Sequence, residues 1–125
     1  GAVGLAAAIR YVSGLGLDNI AAHEQKLTDM AVEGLKAMPG LTVLAPDVPH
    51  SSVVSVLADG IHHYDLGTLL DQMGIAVRTG HHCCQPLMCA LGTTGTTRAS
   101  FALYNTEEEV RTFLKSMSRS LEMLS

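Results

Sequence analysis

Breaker residues cut this chain into short segments, and their positions limit the fold more than any other sequence feature. Turn-forming pairs stand at Pro39-Gly40 and Asp59-Gly60, and single glycines interrupt apolar stretches at Gly16 and Gly74. Glycine and proline at such positions end helices and turn strands. No apolar segment between these breaks is long enough to cross a bilayer. The spacing therefore predicts a small domain in which short helices and strands alternate.

Periodicity assigns a secondary structure to each segment. Apolar residues recur at helical spacing in some segments, whereas others are rich in β-branched residues that alternate. Asp18 and Asp65 are predicted helix caps, and Thr106 with Glu109 forms a capping box. We predict helices over 2–13, 18–38, 65–73 and 106–124, a helical turn over 87–91, and strands over 41–44, 52–57, 75–78 and 97–104. This order indicates an α/β (α+β) fold, a two-layer sandwich whose small, mostly antiparallel sheet carries helices on one face.

Length and charge limit the classes of partner. With 125 residues, of which 47% are hydrophobic, the chain can bury the core of one domain. Its formal net charge is −4 and it has no basic cluster, which argues against binding to nucleic acid. Because no apolar run is long enough to cross a bilayer, no membrane partner is expected either. A cytoplasmic globular domain is expected. The apolar helical pattern begins at once, at Gly1-Ala2-Val3, so we expect a piece of a longer protein.

The segment Arg78–Met88 concentrates the residues that can do chemistry. It reads Arg-Thr-Gly-His-His-Cys-Cys-Gln-Pro-Leu-Met and places Cys83 beside His81 and His82. A thiol attacks as its thiolate, which nearby cationic groups favour. Gly80 and Pro86 predict a loop, where a nucleophile can be presented to a ligand.

Three other interpretations of the cysteines remain open. Cys83 and Cys84 could be small buried hydrophobic residues, because free cysteine is often buried. They could bind zinc with the neighbouring histidines, although four consecutive candidates do not match the separated pairs of zinc sites, and we expect no metal. A disulfide framework is the third, but three cysteines (83, 84 and 89) without a signal peptide favour a reducing compartment.

Arg98 is the second candidate site residue. It lies in an otherwise apolar strand, where a charge is costly unless it is paired. In the alternation of this strand Arg98 shares a face with Ser100, and Ala99 and Phe101 share the other. A planar guanidinium facing a site is suited to hold a carboxylate through two hydrogen bonds.

Two motifs of the chain belong together: Val77–Met88, with its Arg-Thr-Gly-His-His-Cys, and Thr97–Thr106, with its Arg-Ala-Ser. Together they resemble the C-terminal domain of Suf-type (group II) cysteine desulfurases or selenocysteine lyases, of the class V aminotransferase family. The resemblance runs over essentially the whole chain and includes residues 4–12, residues 74–80 and the Glu-rich start of the last helix. It implies the C-terminal small domain of a fold-type I enzyme that depends on pyridoxal phosphate.

The resemblance implies a role for each candidate residue. Cys83 matches the nucleophile that takes sulfur from L-cysteine, releasing alanine and keeping a persulfide for iron–sulfur cluster assembly. Arg98 matches the arginine that binds the substrate carboxylate, and Arg78 and His82 are assigned supporting roles in positioning or pKa tuning. Implied partners are L-cysteine or selenocysteine and a sulfur-acceptor protein, and the full-length enzyme is expected to be a homodimer.

Two departures from the family pattern matter. Position 84 is usually a small residue such as alanine, whereas here Cys84 could fill space or compete for oxidation or for the persulfide. The lysines Lys26, Lys36 and Lys115 do not match the family's cofactor lysine, so residues 1–125 are expected to form one domain without the large domain that binds pyridoxal phosphate, and to be inactive alone. The alternative is a free-standing thiol or sulfur-carrier domain that uses no cofactor.

Overall fold

The computed structural model describes all residues from Gly1 to Ser125. Five helices and four strands follow one another along the chain. They are α1 (Ala2–Leu15), α2 (Leu17–Lys36), β1 (Leu41–Val43), β2 (Val53–Ala58), α3 (His63–Gln72), β3 (Arg78–Gly80), α4 (Gln85–Ala90), β4 (Thr96–Ser100) and α5 (Glu107–Leu124). None of these helices combines the length and the apolar character that a membrane span requires.

The four strands form one antiparallel sheet in the order β1-β2-β4-β3. Helices α2, α3 and α5 pack together, α2 against β1 and β2, and α3 against β3 and β4. This is the predicted α+β fold, with an antiparallel sheet that carries its main helices on one face.

The core lies between those helices and one face of the sheet. Side chains alternate along a strand, so Val54 and Val56 of β2 and Ala99 of β4 point into the helical layer, where they are buried. The opposite face carries Ser55 of β2 next to Arg98 of β4. The core is a single cluster of buried apolar residues: Leu27, Ala31, Leu35, Val43, Val54, Val56, Leu66, Leu70, Ala99, Phe101, Val110, Phe113, Met117 and Leu121.

The capping box at the start of α5 is confirmed, but both predicted aspartate caps are wrong. Thr106 and Glu109 exchange the two reciprocal hydrogen bonds of the box. Helix α2 begins at Leu17 because Gly16, at φ 87°, breaks the chain after α1 and lets the next helix start immediately. In α3 the His62 side chain accepts from the Tyr64 N–H, which leaves Asp65 in the first turn.

Two predicted strands are displaced. The segment 75–77 takes part in no ladder; together with residues 99–101 it lines a cleft of about 260 Å³. Pairing begins only at Arg78, opposite Arg98. Strand β4 stops at Ser100, since the Asn105 side chain accepts from the Ala102 N–H and turns the chain towards α5. The helical turn predicted over 87–91 begins earlier, at Gln85, with Pro86 in the favoured first turn.

Candidate active site

The loop between β3 and α4 has a strained backbone. His82 at φ 54° and Cys83 at φ 59° both adopt the left-handed conformation, which costs a residue with a Cβ about 1–2 kcal/mol. Local hydrogen bonds oppose this cost. The Cys83 N–H donates to Nδ1 of His81 at 3.0 Å, and the Cys84 N–H donates to the His81 carbonyl at 2.8 Å. Consecutive left-handed residues persist where the surroundings hold them, and such places are often functional.

The strained loop brings Cys83 back over the end of the sheet. The Arg78 guanidinium donates from Nη2 to Sγ of Cys83 at 3.8 Å. Cys83 is exposed, so the sulfur is open to a ligand while a cation lies against it.

Arg98 lies beside Arg78 and has no acidic partner. The two residues face each other directly across the β3–β4 ladder, so their side chains leave the same face of the sheet. Neither guanidinium takes part in an ion pair, and Nε of Arg98 is buried without a hydrogen-bond partner. Like charges placed opposite each other are destabilising, and a buried unsatisfied donor adds to the cost. An anion bound between or beside them would relieve both costs.

His82 is the fourth residue of this group, beside Cys83, Arg78 and Arg98. One of its ring nitrogens, Nε2, lies 2.8 Å from the Thr96 hydroxyl. Burial lowers the pKa of His82, and the positive charges of Arg98 and Arg78 lower it further, while a hydrogen bond to the backbone of Thr96 works in the opposite direction. The imidazole is therefore neutral near pH 7, which avoids a third positive charge at this site.

A second histidine supports the same corner of the sheet. Burial and the neighbouring His62 lower the pKa of His63, and Asp65 partly offsets this shift. Its Nε2 packs so closely against the turn before β4 that a Cβ added to Gly95 would lie 2.5 Å away. The His63 ring thus fills the space beneath the β3–β4 connection.

The cysteines and histidines do not form a buried or metal-binding cluster. All three cysteines are exposed and unpaired, which excludes the interpretation of Cys83 and Cys84 as buried packing residues. No group of three or more His, Cys, Asp or Glu side chains comes together as metal ligands would.

The residues of this chain do not fit pyridoxal phosphate. That cofactor requires a lysine at the reacting centre. Lys26 pairs with Glu107 and Lys36 with Asp47, both from α2 on the helical side of the sheet. Lys115 is exposed on α5, which packs on the same side. The arginines leave the opposite face, so these 125 residues bring no lysine to Cys83.

The structure brings together all four residues singled out from the sequence. Cys83 contacts Arg78, Arg78 opposes Arg98, and the charges of both arginines act on His82. Sequence reasoning missed Thr96. The alternation that puts Arg98 and Ser100 on one face also places Thr96 there, and this was the available signal.

Comparison with known proteins identifies the family. The family model described as Aminotransferase class-V matches residues 1–113. Because this match covers most of the chain, the protein belongs to the aminotransferase class-V family.

The similar proteins are cysteine desulfurases. A cysteine desulfurase of Escherichia coli O127:H6 is 47% identical over 125 residues, which are 99% of this chain and 30% of the relative. Among solved structures, apo cysteine desulfurase from Thermococcus onnurineus NA1 matches with a TM-score of 0.94 and 44% identity, over 99% of this chain and 31% of that one. Cysteine desulfurase CsdA from Escherichia coli, in an S-sulfonic acid form, matches with a TM-score of 0.93 and 37% identity, over 100% and 31%. The chain thus spans about a third of the length of the proteins it resembles.

Proposed function

We propose that residues 1–125 are the C-terminal small domain of a longer cysteine desulfurase, with Cys83 as the residue that accepts sulfur. One observation carries this proposal: an exposed thiol touches Arg78, whose cross-strand neighbour Arg98 is an unpaired, half-buried cation. A nucleophilic sulfur and a carboxylate-binding group side by side suit an amino acid substrate that carries sulfur. Identity to cysteine desulfurases along the whole chain supports the same reaction.

In this function Cys83 and Arg98 act on the two ends of L-cysteine. Arg98 binds the carboxylate through its planar fork and so orients the substrate. The Cys83 thiolate attacks the substrate sulfur and forms a new S–S bond, while the substrate C–S bond breaks. The electron pair of the broken C–S bond remains on the substrate carbon, which takes up a proton to give alanine. Cys83 keeps the sulfur as a persulfide for transfer to an acceptor protein.

The rest of the enzyme supplies what these residues do not. The class V resemblance implies pyridoxal phosphate, and since no lysine here fits it, the cofactor belongs to the part of the enzyme outside residues 1–125. We further propose that the full-length enzyme is a homodimer that supplies sulfur for iron–sulfur cluster assembly in the cytoplasm. The free thiols Cys83, Cys84 and Cys89 are consistent with that reducing compartment.

The first test replaces the nucleophile in the full-length enzyme. Cys83→Ser should abolish persulfide formation and lower alanine production from L-cysteine by several orders of magnitude, because the hydroxyl is a far weaker nucleophile for sulfur. Alanine is measured by chromatography and the persulfide by mass spectrometry of the Cys83 peptide. A variant that turns over L-cysteine at the parental rate would exclude Cys83 as the acceptor.

Cys84→Ala is the matched control. Cys84 is the adjacent thiol and is also exposed, but the Arg78 guanidinium contacts Cys83. We expect its alanine production to stay close to the parental rate. A loss as large as that of Cys83→Ser would mean that both thiols take part in the transfer.

A further inference from the structure

Thr96 is buried in a place where strand alternation would leave it exposed. It shares the open face of β4 with Arg98, away from the helical core, yet only 1% of its surface is accessible. The loop carrying His82 covers it, and the contact between the two side chains is short, 2.8 Å from Nε2 to the hydroxyl. Thr96 therefore links the loop to the sheet through His82, in addition to the contact between Arg78 and Cys83.

The buried ring of His82 fixes the direction of this hydrogen bond. Its other nitrogen, Nδ1, is buried and has no partner. A buried N–H without an acceptor is rarer in proteins than an under-satisfied acceptor, so the proton belongs on Nε2 and is donated to the Thr96 hydroxyl. One neutral tautomer is thereby selected and the ring is held in one orientation.

We propose that Thr96 is a positioning residue for the sulfur nucleophile, acting through His82. His82 and Cys83 are the two consecutive left-handed residues of the loop, so fixing the His82 ring to β4 also fixes the backbone that directs Cys83 towards Arg78. This inference rests on the proposed function, because it gives Thr96 a part in preparing the same thiol. Thr96 itself touches neither the sulfur nor a substrate.

The test compares isosteric variants of the full-length enzyme by the rate at which iodoacetamide alkylates Cys83, with Cys89 as the internal reference. Thr96→Val keeps the shape but removes the hydroxyl. Because the Cys83 thiol is already exposed, a looser loop gives iodoacetamide little additional access to it. The main effect is that the thiol loses its contact with Arg78. We expect Cys83 alkylation to slow roughly two- to tenfold relative to Cys89, the range expected for one net hydrogen bond. Thr96→Ser, which restores the hydroxyl, should recover most of the parental rate.

Thr97→Val is the matched control. Thr97 is the next residue and is also buried, but its hydroxyl donates to the His63 carbonyl on the opposite face of the sheet, at 3.4 Å. We expect it to leave the Cys83 alkylation rate unchanged. Equal Cys83 rates in Thr96→Val and the parent would overturn the proposal, as would equal slowing in Thr97→Val.

Two further measurements separate the possible failures. Nitrogen-15 spectra of the parental protein should show His82 as a single neutral tautomer protonated on Nε2, and rapid exchange between tautomers would overturn the proposal even if Thr96→Val did not fold. Alanine production tests the function independently. A full-length protein that makes no alanine contradicts the proposed desulfurase, whereas an unaltered Cys83 rate contradicts only the role of Thr96.

Discussion

Arg98 sits on the open face of the sheet, half-buried, opposite a second arginine and without a carboxylate in contact. Its buried Nε lacks any partner within the chain. A residue with a purely structural role would normally be paired there, because unsatisfied charged groups reduce stability. At the scale of one residue, this arrangement supports the proposal that Arg98 binds the substrate carboxylate.

Replacing Arg98 should weaken productive binding of L-cysteine in the full-length enzyme. Loss of a two-point, partly desolvated carboxylate contact is worth about 2–4 kcal/mol, so kcat/KM of Arg98→Ala should fall roughly 30- to 1000-fold. Arg98→Lys should recover only part of this loss, since an ammonium keeps the charge without the planar fork. Steady-state kinetics measure both. A large drop in Tm with unchanged kinetics would instead make Arg98 a scaffold residue.

At the scale of elements, the first turn of α5 joins α5 to α2. Glu107 of α5 pairs with Lys26 of α2 and with Arg111 one turn further along its own helix. Chiefly through its hydrogen bond to Lys26, this arrangement holds the pKa of Glu107 below its ordinary value of 4.5. A carboxyl group with a depressed folded-state pKa stabilises the fold above its unfolded pKa.

Acid should therefore weaken this junction in a defined pH range. The contribution of Glu107 is complete above about pH 4.5 and is lost as the pH falls from there through the lower folded-state value. In Glu107→Gln the unfolding midpoint in urea should fall less steeply below pH 4.5 than in the parent. The pairing is exposed, so the difference at neutral pH should be small. Identical acid slopes for the two proteins would contradict this assignment.

The connection between β3 and β4 tolerates no side chain at Gly95. A Cβ there would lie 2.5 Å from Nε2 of His63 and 2.7 Å from the backbone carbon of Gly80. Gly95→Ala must push the two strands apart or displace the His63 ring, and overpacking of this kind costs roughly 1–3 kcal/mol. Thermal unfolding of the chain should show the loss.

Gly4→Ala is the control for this substitution. Gly4 lies within α1, and an added Cβ would meet no atom within 4 Å. Alanine is a better helix former than glycine, so this variant should be neutral or slightly more stable. A Gly95→Ala protein as stable as Gly4→Ala would mean that the turn can relax without cost.

At the scale of the whole molecule, the 125 residues carry the proposed nucleophile, Cys83, but bring no lysine to it. Mixed with pyridoxal phosphate and L-cysteine, this chain alone should produce no alanine and should develop no visible absorption from a lysine-bound cofactor. Absorbance spectra and alanine analysis test both expectations. Turnover by this chain alone would contradict its assignment as one domain of a larger enzyme. Full-length protein should be active under the same conditions.

The sequence by itself determined the local features. The Thr106–Glu109 capping box needs residues only three positions apart, and Pro39-Gly40 ends a helix by backbone chemistry alone. The alternation of β4 predicted which face carries Arg98. The residue order also predicted that Cys83 lies in a loop beside His81 and His82, since these residues are adjacent in the chain.

Only the tertiary structure decided how distant segments meet. Strand β3 pairs from Arg78 and not from Ile75 because the chain before it diverges from β4, a separation that no local pattern encodes. Opposition of Arg78 to Arg98 depends on that register. The contact of His82 with Thr96, fourteen positions away, exists only because the loop folds back over the sheet. Packing over the whole domain sets the register of the ladder and the path of the loop back over the sheet. Spacing along the chain therefore predicts the candidate site residues but not the contacts that orient them.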